Sequence, residues 1–239
     1  MSQHSKPAWE HLRLRDRIAP GVRVLLVGIN PGVKSAQTGH HFAGPSNRFW
    51  RLLFESGLVP ERISHLDDVR LPEWGFGVTN LVARPSPGID VLRPVEYIEG
   101  WHILEKKIDR FRPEIVAFVG VTIYRALLRV LGAKGATMIE PGFQHATVHE
   151  ARIFVLPNPS GRNANYSYDE MLAAFSALRQ ALSAPRQARA PRADAASPGS
   201  AVPGRGRFPR AGGTAARTTP SRPAAAPSRR ATRKRAGSR

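Results

Sequence analysis

The chain has no cysteine among its 239 residues. That excludes disulfides, thiolate zinc sites, a nucleophilic thiol and a cysteine-bound iron–sulfur cluster. Long apolar runs are missing too, since none approaches the ~20 residues that a membrane helix requires. No secretory pattern opens the sequence. A soluble cytoplasmic protein is therefore expected, nucleoid-associated in a bacterium, with no membrane partner. The phosphate cradles GxGxxG and GxxxxGKS/T are absent, which argues against a nucleotide-processing hydrolase, and no cofactor is expected. His145 and His149 have i,i+4 spacing, but in a β-like segment and without a third ligand they make no metal site.

Acidic residues are scarce in one region above all. Residues 185–239 hold Asp194 alone against 14 Arg and Lys, so they carry +13 of the +18 formal charge. Their one large apolar side chain is Phe208, too little buried surface to offset the entropy of ordering the chain. The expectation is a disordered basic tail that binds phosphate backbones without reading sequence, which makes nucleic acid the leading partner. Arg outnumbers Lys 30 to 6, and Ala, Gly and Pro abound, so GC-rich coding is a second account of the tail. Either origin leaves a cation.

Residues 1–21 read as a polar lead-in and 22–184 as one globular domain. Within it, a strand at 22–29 precedes a helix that starts near Ser46 with Phe49, Leu52 and Leu53 on its apolar face. A turn-rich stretch at 57–73 leads to FGVTNLV at 76–82, a strand running into a loop. Pro94 suits the first turn of a long helix whose Tyr97, Trp101, Leu104, Ile108 and Phe111 repeat at helical spacing. EIVAFVG at 114–120 reads as a buried strand, followed by a helix at 121–131, a β segment around 136–148, a strand at 152–156 and a helix at 168–183. Strands alternating with helices predict a three-layer α/β/α sandwich with a mainly parallel sheet.

Two loops carry the chemistry. GINPG at 28–32 ends the run VRVLLV, and NPSG at 158–161 ends the run RIFVL. Each therefore leaves the end of a buried strand, where α/β folds place their sites. The first offers the Asn30 carboxamide beside peptide N–H groups; the second offers Asn158, Ser160 and Gly161 ahead of a helix.

GINPG, GHHFAGPSNRFW at 39–50, GVTNLV at 77–82 and NPSG occur in this order. With them the chain resembles the mismatch-specific uracil/thymine-DNA glycosylase branch of the uracil-DNA glycosylase superfamily, over roughly residues 22–183. The resemblance implies a monofunctional enzyme that flips a mispaired deoxyuridine, in some members also thymine or another modified pyrimidine, and hydrolyses its N-glycosidic bond. Asn30 falls on the residue that positions the attacking water. An amide cannot ionise, so it orients water rather than acting as a strong base. Catalysis then leans on the departing base, whose developing charge at O2 is met by peptide N–H groups near Ile29 and Gly32.

Phe42 aligns with the aromatic that stacks on the flipped base, although alone it would read as core. Asn80 matches a pocket residue facing the pyrimidine N3 and O4 edge, and His41 is a candidate for sugar or phosphate contact or else a helix-entry histidine. Ser86 falls where relatives carry a hydroxyl that helps hold the water, and the Asp90 carboxylate is the alternative. Ala83 and Pro85 replace more polar residues found in some relatives. Arg162 and Asn163 follow NPSG in the loop that fills the vacated space, with Arg162 either bonding the orphaned guanine or making a plain phosphate contact. Lys34 could in principle attack the sugar, but a solvent-facing lysine is the simpler reading. The expected partner is mismatched or damaged double-stranded DNA, bound by a monomer. The alternative is a catalytically inactive DNA-binding protein on the same fold.

Overall fold

The computed structural model describes residues 7–133 and 139–183. The tail expected at 185–239 lies outside the described residues.

Five strands, β1 (Val24–Gly28), β2 (Phe76–Asn80), β3 (Ile115–Val119), β4 (Gly142–Val148) and β5 (Ala151–Leu156), form one sheet in the order β2-β1-β3-β5-β4. All neighbours are parallel except β4, which runs antiparallel to β5. The helices are α1 (Val33–Thr38), α2 (Phe49–Glu55), α3 (Pro94–Phe111), α4 (Val121–Val130) and α5 (Tyr168–Ser183). The α/β/α architecture expected from the sequence is present.

Side chains alternate across the sheet, as the pleat requires. Leu25, Val27, Val116, Phe118, Ile153 and Val155 join Trp101, Leu104 and Ile108 of α3 and Leu127 of α4 in one core. Val24, Leu26, Ile115, Ala117 and Phe154 join Phe49 and Leu52 of α2 and Met171 and Phe175 of α5 in the other. Central strands buried on both faces explain the continuous apolar runs in the sequence.

Two elements escaped the pattern reading. α1 spans one and a half turns and buries only Ser35 and Ala36, so it shows no periodicity. The turn-rich stretch contains a 3-10 helix at His65–Trp74, opened by a Ser64 cap and closed by Gly75 in the left-handed region. The lead-in is also more than a loose arm from residue 7 onward. Arg17 exchanges both peptide hydrogen bonds with Val78 at 2.9 Å, covering the outer edge of β2, and Asp16 pairs with Lys107 of α3 at 2.6 Å.

From β1 the chain moves to β2 on one side and later to β3 on the other. The crevice where the direction reverses lies at the carboxyl end of β1, the usual ligand position in an open α/β sheet.

Candidate active site

The loops leaving β1, β2, β3 and β5 enclose a cleft of about 1280 Å³. GINPG is in the middle, the 80–90 loop is on the β2 side, and NPSG is on the β5 side. Lys34, Arg125 and Arg162 bring positive charge to its lining, against the single carboxylate of Asp90.

Asn30 is held by a network that orients its amide. Its Nδ2 donates to the carbonyls of Pro31 at 3.1 Å and Arg84 at 3.2 Å, and to Ser86 Oγ at 2.7 Å. Ser86 Oγ in turn donates to the Gly88 carbonyl at 2.5 Å. Two of the three acceptors are carbonyls and the third has committed its proton, so a flipped amide would face oxygen with oxygen. The Asn30 carbonyl oxygen is thereby turned to the cleft, and it has no hydrogen-bond partner among the described residues. The 80–90 loop is stitched to GINPG by Leu81 N to Gly28 O, Val82 N to Ile29 O and Ser86 N to Pro31 O.

Ser86 is 2% exposed, and its hydroxyl both accepts from Asn30 Nδ2 and donates to the Gly88 carbonyl. It thereby helps to orient the Asn30 amide. Asp90 is exposed on the rim and makes no hydrogen bond with Asn30 among the described residues.

Phe42 lines the cleft and stacks on the fully buried Phe49, with ring centroids 3.9 Å apart. One aromatic face is thus backed by core and the other is left to the cleft. Its φ of 51° is unusual for a bulky residue and persists only where the surroundings over-determine it. Here they do: His41 N donates to Asp68 Oδ2 at 2.9 Å and Ala43 N donates to Ser35 Oγ at 3.0 Å, gripping the loop on both sides. Asp68 is wholly buried and also meets Arg17 at 3.1 Å and His40 at 3.0 Å.

His41 is 1% exposed, Nε2 bonds the Arg15 carbonyl at 2.9 Å, and burial pushes its pKa down. The bond braces the loop beside Phe42.

Asn80 ends β2 opposite Gly28, the last residue of β1. A Cβ on Gly28 would lie 2.7 Å from Asn80 Oδ1 and 3.6 Å from Phe42 Cζ. Only glycine lets the carboxamide and the aromatic ring approach each other across this strand end. Ile29 and Gly32 border the same space.

The NPSG loop braces itself. Asn158 Oδ1 accepts from Ser160 N at 3.0 Å, Asn163 Nδ2 donates to the Asn158 carbonyl at 2.7 Å, and Ser160 Oγ accepts from Arg162 N at 3.3 Å. Pro159 O accepts from Arg48 N at 2.9 Å, tying the loop to the start of α2. A Cβ on Gly161 would fall 2.6 Å from Ser46 Cβ and 2.7 Å from its carbonyl oxygen, so glycine is required for the two loops to meet. The Arg162 side chain is exposed and has no partner among the described residues. The helix that follows the loop, α5, starts at Tyr168 as the sequence predicts, behind a Ser167–Glu170 capping box. The helix starts that line the cleft are those of α1, through Val33 and Lys34, and of α4, through Val121 and Thr122.

The structure brings Asn30, Phe42, Asn80, Ser86, Asn158 and Ser160 to one cleft; the sequence reading did not single out Asp68, Arg84 or Glu96. A buried acid leaves no signature in a single sequence; the one available hint was the 3-10 helix's Ser64 cap followed by Asp67 and Asp68.

A solution NMR structure of a candidate uracil DNA glycosylase from Methanosarcina acetivorans matches at 16% identity and a TM-score of 0.45, over 71% of this chain and 96% of that one. The family model of the uracil DNA glycosylase superfamily matches residues 16–182, the span that holds every cleft loop. A DNA glycosylase role follows from that match, and the chain belongs to the uracil DNA glycosylase superfamily.

Proposed function

We propose that the chain is a monofunctional DNA glycosylase that extrudes uracil mispaired with guanine, its range extending to thymine or other modified pyrimidines, and hydrolyses the N-glycosidic bond. The observation that carries this reading is the locked Asn30 amide, whose carbonyl oxygen faces the cleft beside Phe42 and Asn80.

A water donating one proton to Asn30 Oδ1 presents its oxygen lone pair to C1′ of the extruded nucleotide. The C1′–N1 bond breaks with its electron pair going to the base, where the charge spreads onto O2 and O4. Peptide N–H groups at Ile29 and Gly32 meet O2, the electrostatic help that such a transition state needs. The water oxygen becomes the 1′-hydroxyl of an abasic sugar, and its released proton balances the base anion. Asn30 gains no proton at any stage, as an amide must not. Phe42 offers a flat apolar face to the ring, and the Asn80 carboxamide supplies both donor and acceptor for the N3–O4 edge. Arg162, exposed on the braced NPSG loop and without a partner among the described residues, fills the gap in the duplex.

Asn30→Ala tests the reading. Single-turnover excision from a G·U duplex falls by at least ~10²-fold, the scale of losing a positioned polar group, while duplex affinity is kept. Near wild-type excision would remove Asn30 from the chemistry. Excision of uracil, thymine and ethenocytosine opposite guanine, in double- and single-stranded DNA, sets the range. Borohydride traps no covalent adduct if the enzyme is monofunctional; an adduct lost in Lys34→Ala would make that lysine a nucleophile.

A further inference from the structure

The Asn30 amide depends on a carbonyl that lies outside GINPG. Arg84 O accepts from Asn30 Nδ2 at 3.2 Å, and Arg84 sits where residues 83–85 leave the ladder that joins the β2 exit to the β1 exit. Among the described residues no backbone hydrogen bond holds residues 83–85, and Pro85 restricts Arg84 only to extended backbone. The Arg84 side chain supplies a further anchor. Arg84 Nε donates to Glu96 Oε1 at 2.7 Å and Nη2 to Glu96 Oε2 at 3.0 Å, a bidentate pair, while Nη2 also reaches the Val91 carbonyl at 3.1 Å. Glu96 is 8% exposed and is itself held at the start of α3, where Oε2 accepts from Arg93 N at 2.9 Å. A planar guanidinium gripped by two carboxylate oxygens and a carbonyl has little freedom left.

We infer that Glu96, acting through Arg84, is a positioning residue for Asn30. The pair anchors the 84–91 loop to α3 and so aims the Arg84 carbonyl that, together with Ser86, keeps the Asn30 carbonyl oxygen on the cleft. The inference rests on the proposed role of Asn30. It is distinct from that role in naming a buried ion pair outside the cleft as a determinant of rate: neither Arg84 nor Glu96 lines the cleft.

The test uses the full chain carrying Glu96→Gln or Arg84→Lys, alone and with Asn30→Ala, on a G·U duplex. Saturated single-turnover rate, duplex Kd and thermal melting are measured for each. Glutamine keeps one acceptor oxygen where the carboxylate has two, and lysine keeps the charge but not the fork. Each lowers the saturated rate by ~10- to 100-fold, the effect of misplacing a reacting group by about an ångström, with Kd unchanged. In the Asn30→Ala background neither substitution lowers the rate further, because the amide it orients is gone. An unchanged rate in the single variants, or the same fractional loss in both backgrounds, overturns the inference. Should Glu96→Gln melt below the assay temperature, Arg84→Lys carries the same comparison. If Asn30→Ala alone keeps its rate, the role of Asn30 fails first and the inference fails with it; if Asn30→Ala is slow but Glu96→Gln is not, only the inference fails.

Discussion

Gly28→Ala separates the geometry of the pocket from the stability of the fold. The added Cβ would sit 2.7 Å from Asn80 Oδ1, where ordinary contact begins at 3.4 Å, so the carboxamide must retreat by 0.7 Å. The same Cβ meets Phe42 Cζ at 3.6 Å, which is tolerable. What yields is the end of a flexible side chain, so folding is not harmed. Alanine should even gain roughly 0.5–1 kcal/mol over glycine inside a strand. The cost falls on recognition: a displacement approaching an ångström takes the Asn80 carboxamide out of hydrogen-bond register with a base edge, a loss on the order of 10- to 100-fold in excision. Single-turnover excision from a G·U duplex and thermal melting of the same preparation measure the two effects. Excision falls while the melting temperature holds or rises. In an Asn80→Ala background the clash has no partner, and Gly28→Ala adds no further loss. Full activity in Gly28→Ala would show that Asn80 does not read the base, and an equal loss in both backgrounds would place the damage elsewhere.

Arg84 holds the Glu96 carboxyl down at about 2 against an ordinary 4.5. A carboxylate with a depressed pKa stabilises the fold fully above its unfolded pKa and loses that contribution as pH falls through the folded one. Urea melts should therefore show Glu96→Gln less stable at pH 7 and the difference shrinking between pH 4.5 and pH 2; a difference independent of pH would refute the pairing. Arg162→Ala should reduce excision from a G·U duplex far more than from single-stranded DNA, which offers no vacated gap. Equal losses on both substrates would make it an ordinary phosphate contact. Deleting residues 185–239 should leave the saturated rate unchanged and make the salt dependence of duplex binding shallower, since each phosphate contact contributes about −0.9 to the slope of log affinity against log salt. An unchanged slope would leave the +13 charge without a role on DNA.

The sequence by itself determined the architecture and the addresses of the cleft loops, because both are written in local patterns. Runs such as VRVLLV and EIVAFVG read as strands of a sheet covered on both faces, and the spacing of Tyr97, Trp101, Leu104 and Ile108 reads as one face of a helix. Glycine and proline at strand ends marked GINPG and NPSG as loops. The family motifs then attached Asn30, Phe42, Asn80 and Arg162 to a candidate role. Tertiary structure alone decided how those residues stand. The Asn30 amide is oriented by partners 54 and 56 positions away, the Phe42 loop is held by Asp68, and Gly161 is required by Ser46. It also gave His41 and Ser86 partners within the protein, the Arg15 carbonyl and the Asn30 amide. A hydrogen bond between distant segments leaves no periodicity for a sequence to display. It exists only once hydrophobic burial has brought the ends of β1, β2 and β5 into one crevice, where a buried polar group must find a partner or destabilise the fold.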